Sequence, residues 1–152
     1  MKVVAMRMIG CIMICLSGSF SQAQRSPVSW SFEAVGDNNN GVNFVAKATI
    51  EKGWYIYNLS NTAEGPIATQ VKFDLEEGQV VIKNIDVKGN SDIFLDPIYH
   101  RMVSTLKGFV QISQNITDAS RKGIVKGHIV YMACDKSKCL PPASISFDLL
   151  AK

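Results

Sequence analysis

Apolar and polar residues alternate with a period of two through much of the chain after residue 27, and this alternation constrains the fold more than any other feature. The alternating runs are short, and none shows a sustained helical period. They cover residues 28–35, 42–50, 54–57, 71–75, 80–87, 102–112, 124–132 and 145–149. We predict a β-strand in each run.

Residues typical of turns separate these runs. They are Asp37 to Gly41, Glu76 to Gly78, Gly89-Asn90 and Asp118 to Gly123. Residues 58–66 form a predicted polar loop. Short strands divided by such turns, with prolines confined to the junctions, predict an all-β fold, namely an antiparallel β-sandwich of immunoglobulin-like type.

The first 23 residues have the pattern of a secretory signal peptide. Lys2 and Arg7 give a positive start, residues 8–16 are mostly apolar, and residues 21–23 match a small-x-small cleavage site. The apolar run is much shorter than the roughly 20 residues of a spanning helix, so no stable membrane insertion is expected. We predict a signal peptide over residues 1–23, one domain over residues 24–152 and a periplasmic location.

Removal of the signal peptide changes the charge balance. The whole sequence has 16 Lys and Arg against 13 Asp and Glu. Without Lys2 and Arg7, 14 basic residues face 13 acidic ones, all of which lie downstream, so the net charge is about +1. No run of basic residues interleaved with aromatics remains, and nucleic acid is therefore not an expected partner.

Two of the four cysteines remain in the predicted domain, Cys134 and Cys139, because Cys11 and Cys15 lie in the signal peptide. In an oxidising compartment they can bond to each other or between chains. The strands predicted on either side place them across a four-residue turn. Cross-strand Cα atoms lie about 4.5–5.5 Å apart, which is within the range of a disulfide.

The turn between the cysteines carries charges that affect a thiol. At an exposed tip, Lys136 and Lys138 favour a thiolate, whereas Asp135 opposes it. A bond that closes so short a loop contributes only about 2 kcal/mol in the chain-entropy description. Spacing alone leaves two interpretations open, a redox-active pair and an inert disulfide that stabilises a hairpin.

Two segments of the sequence resemble a known family. YMACDKSKCLPP, residues 131–142, followed by a terminal strand, is similar to the active-site hairpin of the amino-terminal periplasmic domain of the transmembrane disulfide reductase DsbD. GWYIY, residues 53–57, resembles the Gly-aromatic-Tyr-aliphatic-Tyr strand of that family. The resemblance covers the chain from about Trp30 to Leu149.

The resemblance implies a thiol–disulfide exchange module, an oxidoreductase component that needs no cofactor and no metal. Its cysteine pair would take electrons from a membrane-embedded thiol reductant and pass them to periplasmic thioredoxin-fold proteins. In the family the second cysteine attacks the partner and the first resolves the mixed disulfide, roles that map to Cys139 and Cys134. Full-length members continue into further domains, whereas this sequence stops at Lys152, so we expect the reductant on a separate polypeptide.

The resemblance also implies roles for three aromatic residues. Tyr55 and Tyr57 are expected beside the cysteine pair, and the alternative is ordinary packing of strand aromatics that share one face. The family shields its disulfide with a loop phenylalanine flanked by acidic residues, and SDIFLDP, residues 91–97, lies at the corresponding place. Phe94 is the predicted cap, with packing on the core as the alternative.

Two other functions fit parts of the pattern. Metal binding could use Cys134, Cys139, His100 and His128. An unbroken strand would put His128 roughly 20 Å from Cys134, so only His100 could join the thiols. The other function is an immunoglobulin-like binding or adhesion module with a purely structural disulfide, which the fold permits.

Overall fold

The computed structural model describes residues 26–36, 41–60, 65–77, 79–118 and 123–152. The strands are β1 (Val28–Gly36), β2 (Gly41–Ile50), β3 (Tyr55–Tyr57), β4 (Gln70–Phe73), β5 (Gln79–Leu95), β6 (Met102–Asp118), β7 (Ile124–Tyr131), β8 (Ala133–Cys134) and β9 (Ala143–Leu150). The described part of the chain contains no helix, and hence none long and apolar enough to span a membrane. The predicted signal peptide, residues 1–23, lies outside the described residues.

The larger sheet is built around β6. One edge of β6 pairs with β5, and its other edge pairs first with β3, at Thr105 and Leu106, and then with β2, from Phe109 to Thr117. β1 extends the sheet beyond β2, and β8 extends it beyond β3. The sheet therefore has a long β5–β6 hairpin on one side and two separate strand pairs on the other.

The smaller sheet has the order β4-β7-β9, with β7 in the centre. The end of the chain ties the two sheets together: the Lys152 amide donates to the Ala34 carbonyl at 3.1 Å, and the Gly36 amide donates to the Lys152 carbonyl at 3.0 Å. These bonds close one side of the sandwich.

The main core fills the space between the sheets. Phe44, Val110 and Ile112 from the larger sheet and Ile129 from the smaller one are fully buried. The rings of Phe44 and Phe147 meet across the interface with centroids 4.5 Å apart. Side chains of β2 alternate between buried and part-exposed along most of the strand, as the sequence pattern requires. The prediction of an all-β, immunoglobulin-like antiparallel sandwich is confirmed.

The prediction of a turn at Gly89-Asn90 is wrong, because both residues lie within β5. The β5–β6 register shifts between Gly89 and Asn90, and a Cβ atom at Gly89 would lie 2.9 Å from the Phe109 carbonyl oxygen. Glycine is needed here for a close strand approach at a bulge. The predicted strands 80–87 and 102–112 are consequently parts of two 17-residue strands.

The predicted strand 124–132 is also interrupted. β7 ends at Tyr131, and after Met132 the chain enters β8, which pairs with β3 of the larger sheet. The assumption of an unbroken strand from His128 to Cys134 is therefore wrong, because the chain changes sheets between them. The other five predicted strands agree with the structure to within two residues at each end.

Candidate active site

Cys134 and Cys139 form a disulfide with a Cα–Cα distance of 4.0 Å, shorter than the sequence-based expectation. The backbone of the turn closes on itself: the Leu140 amide donates to the Ala133 carbonyl at 2.9 Å. The pair lies in the connection between β7 and β9, and β8 carries Cys134 onto the larger sheet.

The turn between the cysteines is ordered by Asp135. Its Oδ1 atom accepts hydrogen bonds from the Ser137 amide, the Ser137 hydroxyl and the Lys138 amide, at 2.7, 2.8 and 2.8 Å. These bonds, those from Ser137 above all, lower the pKa of Asp135. Lys138 lies over the Trp54 ring, with Nζ 5.8 Å from its centroid.

The two sulfur-bearing residues differ in exposure. Cys134 is fully buried, so the expectation of an exposed tip is wrong for this residue. Cys139 is only partly buried. Cys134 is covered because its strand pairs directly with Tyr55 of β3. An approaching molecule therefore meets Cys139 first.

The disulfide packs in a small cluster that is separate from the main core. We call it the disulfide cluster, and its members are Tyr55, Tyr57, Val103, Met132 and Cys134, with Phe94, Tyr99 and Cys139 packed against them. Ile56 and Ala133 belong to the main core instead. Since neighbouring residues of a strand face opposite sides of the sheet, the disulfide cluster lies on the outer face of the larger sheet.

The polar groups of the disulfide cluster meet at a buried carboxylate, that of Asp96. The Tyr57 hydroxyl donates to its Oδ2 atom at 2.8 Å. The Tyr55 hydroxyl lies 3.4 Å from the same oxygen and 3.2 Å from the Asp135 carbonyl oxygen, so its one proton serves one acceptor at a time. Both tyrosine hydroxyls thus have acceptors.

The backbone of the loop after β5 completes the coordination of Asp96. Its Oδ1 atom accepts from the amides of Ile98 and Tyr99, at 2.8 and 2.9 Å. Burial by itself raises the pKa of Asp96, but the hydrogen bonds from Tyr99, Tyr57, Ile98 and Tyr55 outweigh it, and the pKa is lowered. Asp96 is therefore ionised at neutral pH.

Tyr57 connects this carboxylate to the disulfide. Its oxygen lies 3.8 Å from the sulfur of the partly buried Cys139, so one hydroxyl bridges Asp96 and Cys139. Burial, followed by the hydrogen bond to Asp96, raises the pKa of Tyr57, and the phenol stays protonated. Because the Tyr57 hydroxyl donates its hydrogen bond to Asp96, its oxygen can accept a hydrogen bond from a thiol. Burial likewise raises the pKa of Tyr55.

Phe94 and Tyr99 border the cluster on the side of the β5–β6 hairpin. The Phe94 ring packs edge-on against Tyr55, with centroids 5.5 Å apart. The Tyr99 hydroxyl lies 3.7 Å from the Met132 sulfur, and its ring packs edge-on against Tyr57. The structure thus brings Tyr55, Tyr57 and Phe94 into the surroundings of the disulfide, and their functional roles stay predictions.

Sequence analysis gave no role to Asp96 or Tyr99. Asp96 precedes a proline, which is typical of an ordinary turn residue. The signal that could have found it is the pair of strand tyrosines, since buried tyrosine hydroxyls require hydrogen-bond partners. An acidic residue in the segment 91–97 was the natural candidate.

The two histidines lie on different elements. His128 is in β7 of the smaller sheet, and His100 follows β5 in the loop to β6, where its φ is 53°. Among the described residues, no group of three or more His, Cys, Asp and Glu is close enough to hold a metal ion.

Comparison with known proteins rests on structure, since no protein-family model and no curated protein matches the sequence. The amino-terminal periplasmic domain of ScsB from Proteus mirabilis is similar at a TM-score of 0.64 and 12% identity, over 85% of this chain and 48% of that one. The amino-terminal domain of Neisseria meningitidis DsbD, in the reduced form, is similar at a TM-score of 0.54 and 17% identity, over 80% and 85%. This chain has the fold of the DsbD amino-terminal domain.

The DsbD-like fold confirms the architecture implied by the resemblance of residues 53–57 and 131–142 to that family. The chain spans about half of the ScsB chain that it matches and most of the DsbD domain. At identities of 12% and 17% the likeness is one of fold.

Proposed function

We propose that this chain is a periplasmic thiol–disulfide exchange module. Its Cys134–Cys139 pair takes electrons from a membrane-embedded thiol reductant and passes them to thioredoxin-fold proteins. The observation that carries the proposal is the asymmetry of the disulfide, with Cys134 buried and Cys139 part-exposed beside the Tyr57 hydroxyl. The similarity in fold to two periplasmic domains supports it.

The exchange proceeds in two displacements. In the reduced chain, the Cys139 thiolate attacks one sulfur of a partner disulfide, so a Cys139–partner bond forms while the partner disulfide breaks and releases a thiolate. The Cys134 thiolate then attacks the Cys139 sulfur, which restores the internal disulfide and releases the second partner thiolate. Two electrons pass to the partner, and its two thiolates take up protons released by the cysteines.

The surrounding groups prepare the first displacement. In the reduced chain the Tyr57 oxygen, 3.8 Å from the Cys139 sulfur, can accept a hydrogen bond from the thiol and orient it. Asp96 keeps that oxygen in place through the 2.8 Å hydrogen bond. Tyr55 and Phe94 cover the buried side of the pair, and we propose that Phe94 is the cap that limits access to it. The exchange needs no cofactor and no metal.

A matched pair of variants tests the proposal. Reduced Cys134→Ala should form a lasting mixed disulfide with a periplasmic thioredoxin-fold protein, because Cys139 can attack and nothing resolves the product. Cys139→Ala should form much less, because the remaining sulfur is buried. Non-reducing electrophoresis and mass spectrometry measure both products.

The alternative is an immunoglobulin-like binding module with a structural disulfide. It predicts that neither variant traps a partner and that the bond has a reduction potential below about −300 mV. It also predicts that neither cysteine reacts with iodoacetamide after mild dithiothreitol treatment.

A further inference from the structure

A groove lies beside the disulfide cluster, between the β5–β6 hairpin and the turn that joins β2 to β3. Its volume is about 960 Å³. Asp92, Phe94 and Lys107 of the β5–β6 hairpin line its floor, the turn between β2 and β3 forms one wall, and Lys136 reaches it from the cysteine turn. The residues that line the groove do not include Cys134 or Cys139, and its volume is large enough for several residues of another chain.

The groove is continuous with the site of exchange. Tyr55 and Phe94 line the groove and also pack in the disulfide cluster, with their ring centroids 5.5 Å apart. Lys136 lies between the two cysteines in the sequence. A polypeptide bound in the groove would therefore lie next to the disulfide cluster.

The lining offers exposed apolar surface. Ile93 is 72% exposed and Leu95 is 64% exposed, although both are large aliphatic residues at the rim. Trp54 and Pro97 contribute further apolar surface. Contiguous exposed apolar surface of this kind marks interaction sites in soluble proteins. The groove is therefore suited to apolar side chains.

The lining carries three lysines, Lys52, Lys107 and Lys136, and two carboxylates, Glu51 and Asp92. Lys107 is paired with Asp92 at 2.6 Å, but neither Lys52 nor Lys136 forms an ion pair with a described residue. Lys138 lies above Trp54 at the same wall. The lysines of the groove that have no ion pair with a described residue favour carboxylates in whatever binds beside them.

We infer that the groove docks an extended segment of the partner protein next to its reacting cysteine, and that this segment carries apolar and acidic side chains. The apolar residues pack on Trp54 and Ile93, and the carboxylates lie near Lys52 and Lys136. The identity of the occupant as an exchange partner rests on the proposed function, whereas binding itself can be measured without exchange.

Binding is tested with the intact oxidised chain and two short peptides, one of alternating Glu and Leu and one of alternating Gln and Leu. Trp54 fluorescence reports occupancy in a Trp30→Phe background, because the chain has two tryptophans. The acidic peptide should bind more tightly, and the preference should fall as salt increases.

Charge variants locate the site. Lys52→Gln should lower affinity for the acidic peptide about threefold, the scale of one surface charge pair, and should change binding of the neutral peptide little. Lys72→Gln is the matched control, because Lys72 is an exposed lysine of β4 on the smaller sheet. Equal binding of the two peptides, or an equal effect of the two variants, would overturn the inference.

Exchange is then measured with the same peptides carrying a cysteine in disulfide linkage with glutathione. The reduced chain should react faster with the acidic peptide, and Lys52→Gln should lower the acidic-to-neutral rate ratio. Selective binding without any exchange contradicts the proposed function and leaves the docking groove standing. Exchange at equal rates without selective binding contradicts the docking groove and leaves the proposed function standing.

Discussion

The main core and the disulfide cluster lie on opposite faces of the same sheet and are built from different chemistry. The main core is apolar, and it is dominated by fully buried aliphatic residues together with Phe44 and Phe147. The disulfide cluster combines sulfur, phenol hydroxyls and the buried carboxylate of Asp96. A carboxylate is costly to bury unless it is fully hydrogen-bonded. A buried polar arrangement like the disulfide cluster is therefore expected where a site needs specific polar geometry.

Because the main core is apolar and the disulfide cluster is largely polar, we expect stability to depend chiefly on the main core. Phe44→Ala should lower the free energy of unfolding by about 3–5 kcal/mol, because it leaves a cavity where the side chain is fully buried. Urea unfolding measures the loss. Phe109→Ala is the control, since this phenylalanine is 58% exposed, and it should change the free energy by about 0.5 kcal/mol or less. Similar losses in the two variants would show that the main core is not the chief source of stability.

Asp96→Asn should lower the free energy of unfolding at pH 7 by about 1.5–3 kcal/mol, because the hydrogen bonds of a buried charged group are weakened. The pKa of Asp96 is lowered in the folded chain, so the unfolded chain takes up the proton first as pH falls. The stability that ionised Asp96 contributes is therefore fully present above its ordinary pKa of 3.8. It is lost as pH falls through the pKa of the folded state.

Urea unfolding between pH 7 and pH 2.5 measures this dependence. Asp96→Asn should reduce the loss of stability at acid pH, whereas Asp74→Asn, at an exposed residue after β4, should not. An unchanged pH profile in Asp96→Asn would show that this carboxylate is not stabilised in the way the hydrogen bonds indicate.

Reduction of the disulfide should cost only about 2 kcal/mol of unfolding free energy, because the loop between Cys134 and Cys139 is short. Urea unfolding with and without a phosphine reductant measures the difference, and Cys134→Ala should be insensitive to the reductant. A loss as large as that of Phe44→Ala would mean that the disulfide cluster stabilises the fold as strongly as the main core, which would favour a structural disulfide.

Phe94→Ala should lower the free energy of unfolding by only about 1 kcal/mol, since it removes an edge-on aromatic contact with Tyr55. If Phe94 is the cap, the variant should nevertheless be reduced several-fold faster by a small phosphine, as followed by thiol titration. Phe109→Ala serves again as the control. Equal reduction rates in both variants would leave Phe94 with a packing role alone.

The sequence predicted the main core better than the disulfide cluster, for a physical reason. Two-residue periodicity records which side of a strand is buried, so β2 and β7 could be located within a residue or so. Gly89 misled the prediction because glycine favours turns and strand bulges alike. Sequence context alone cannot tell these two uses apart.

The polar side of the cluster depends on contacts between distant residues, which periodicity does not record. Tyr57 and Asp96 are brought together only when the loop after β5 folds over β3. The change of sheet after Tyr131 was missed for a related reason, because Met132 continues the apolar pattern while β8 pairs with a different strand. Local pattern thus predicted which residues are buried but not which partners they have.

The position of both cysteines in the connection between β7 and β9 has a consequence for evolution. β7 and β9 pair from Ile124↔Leu150 to Tyr131↔Ala143, so their register is fixed by residues outside the segment that carries the cysteines. Residues 135–138, the turn between the cysteines, can therefore be exchanged without shifting either of these strands. Natural selection can thus change the reactivity of the cysteine pair, or its proposed partner, while β7 and β9 keep their pairing.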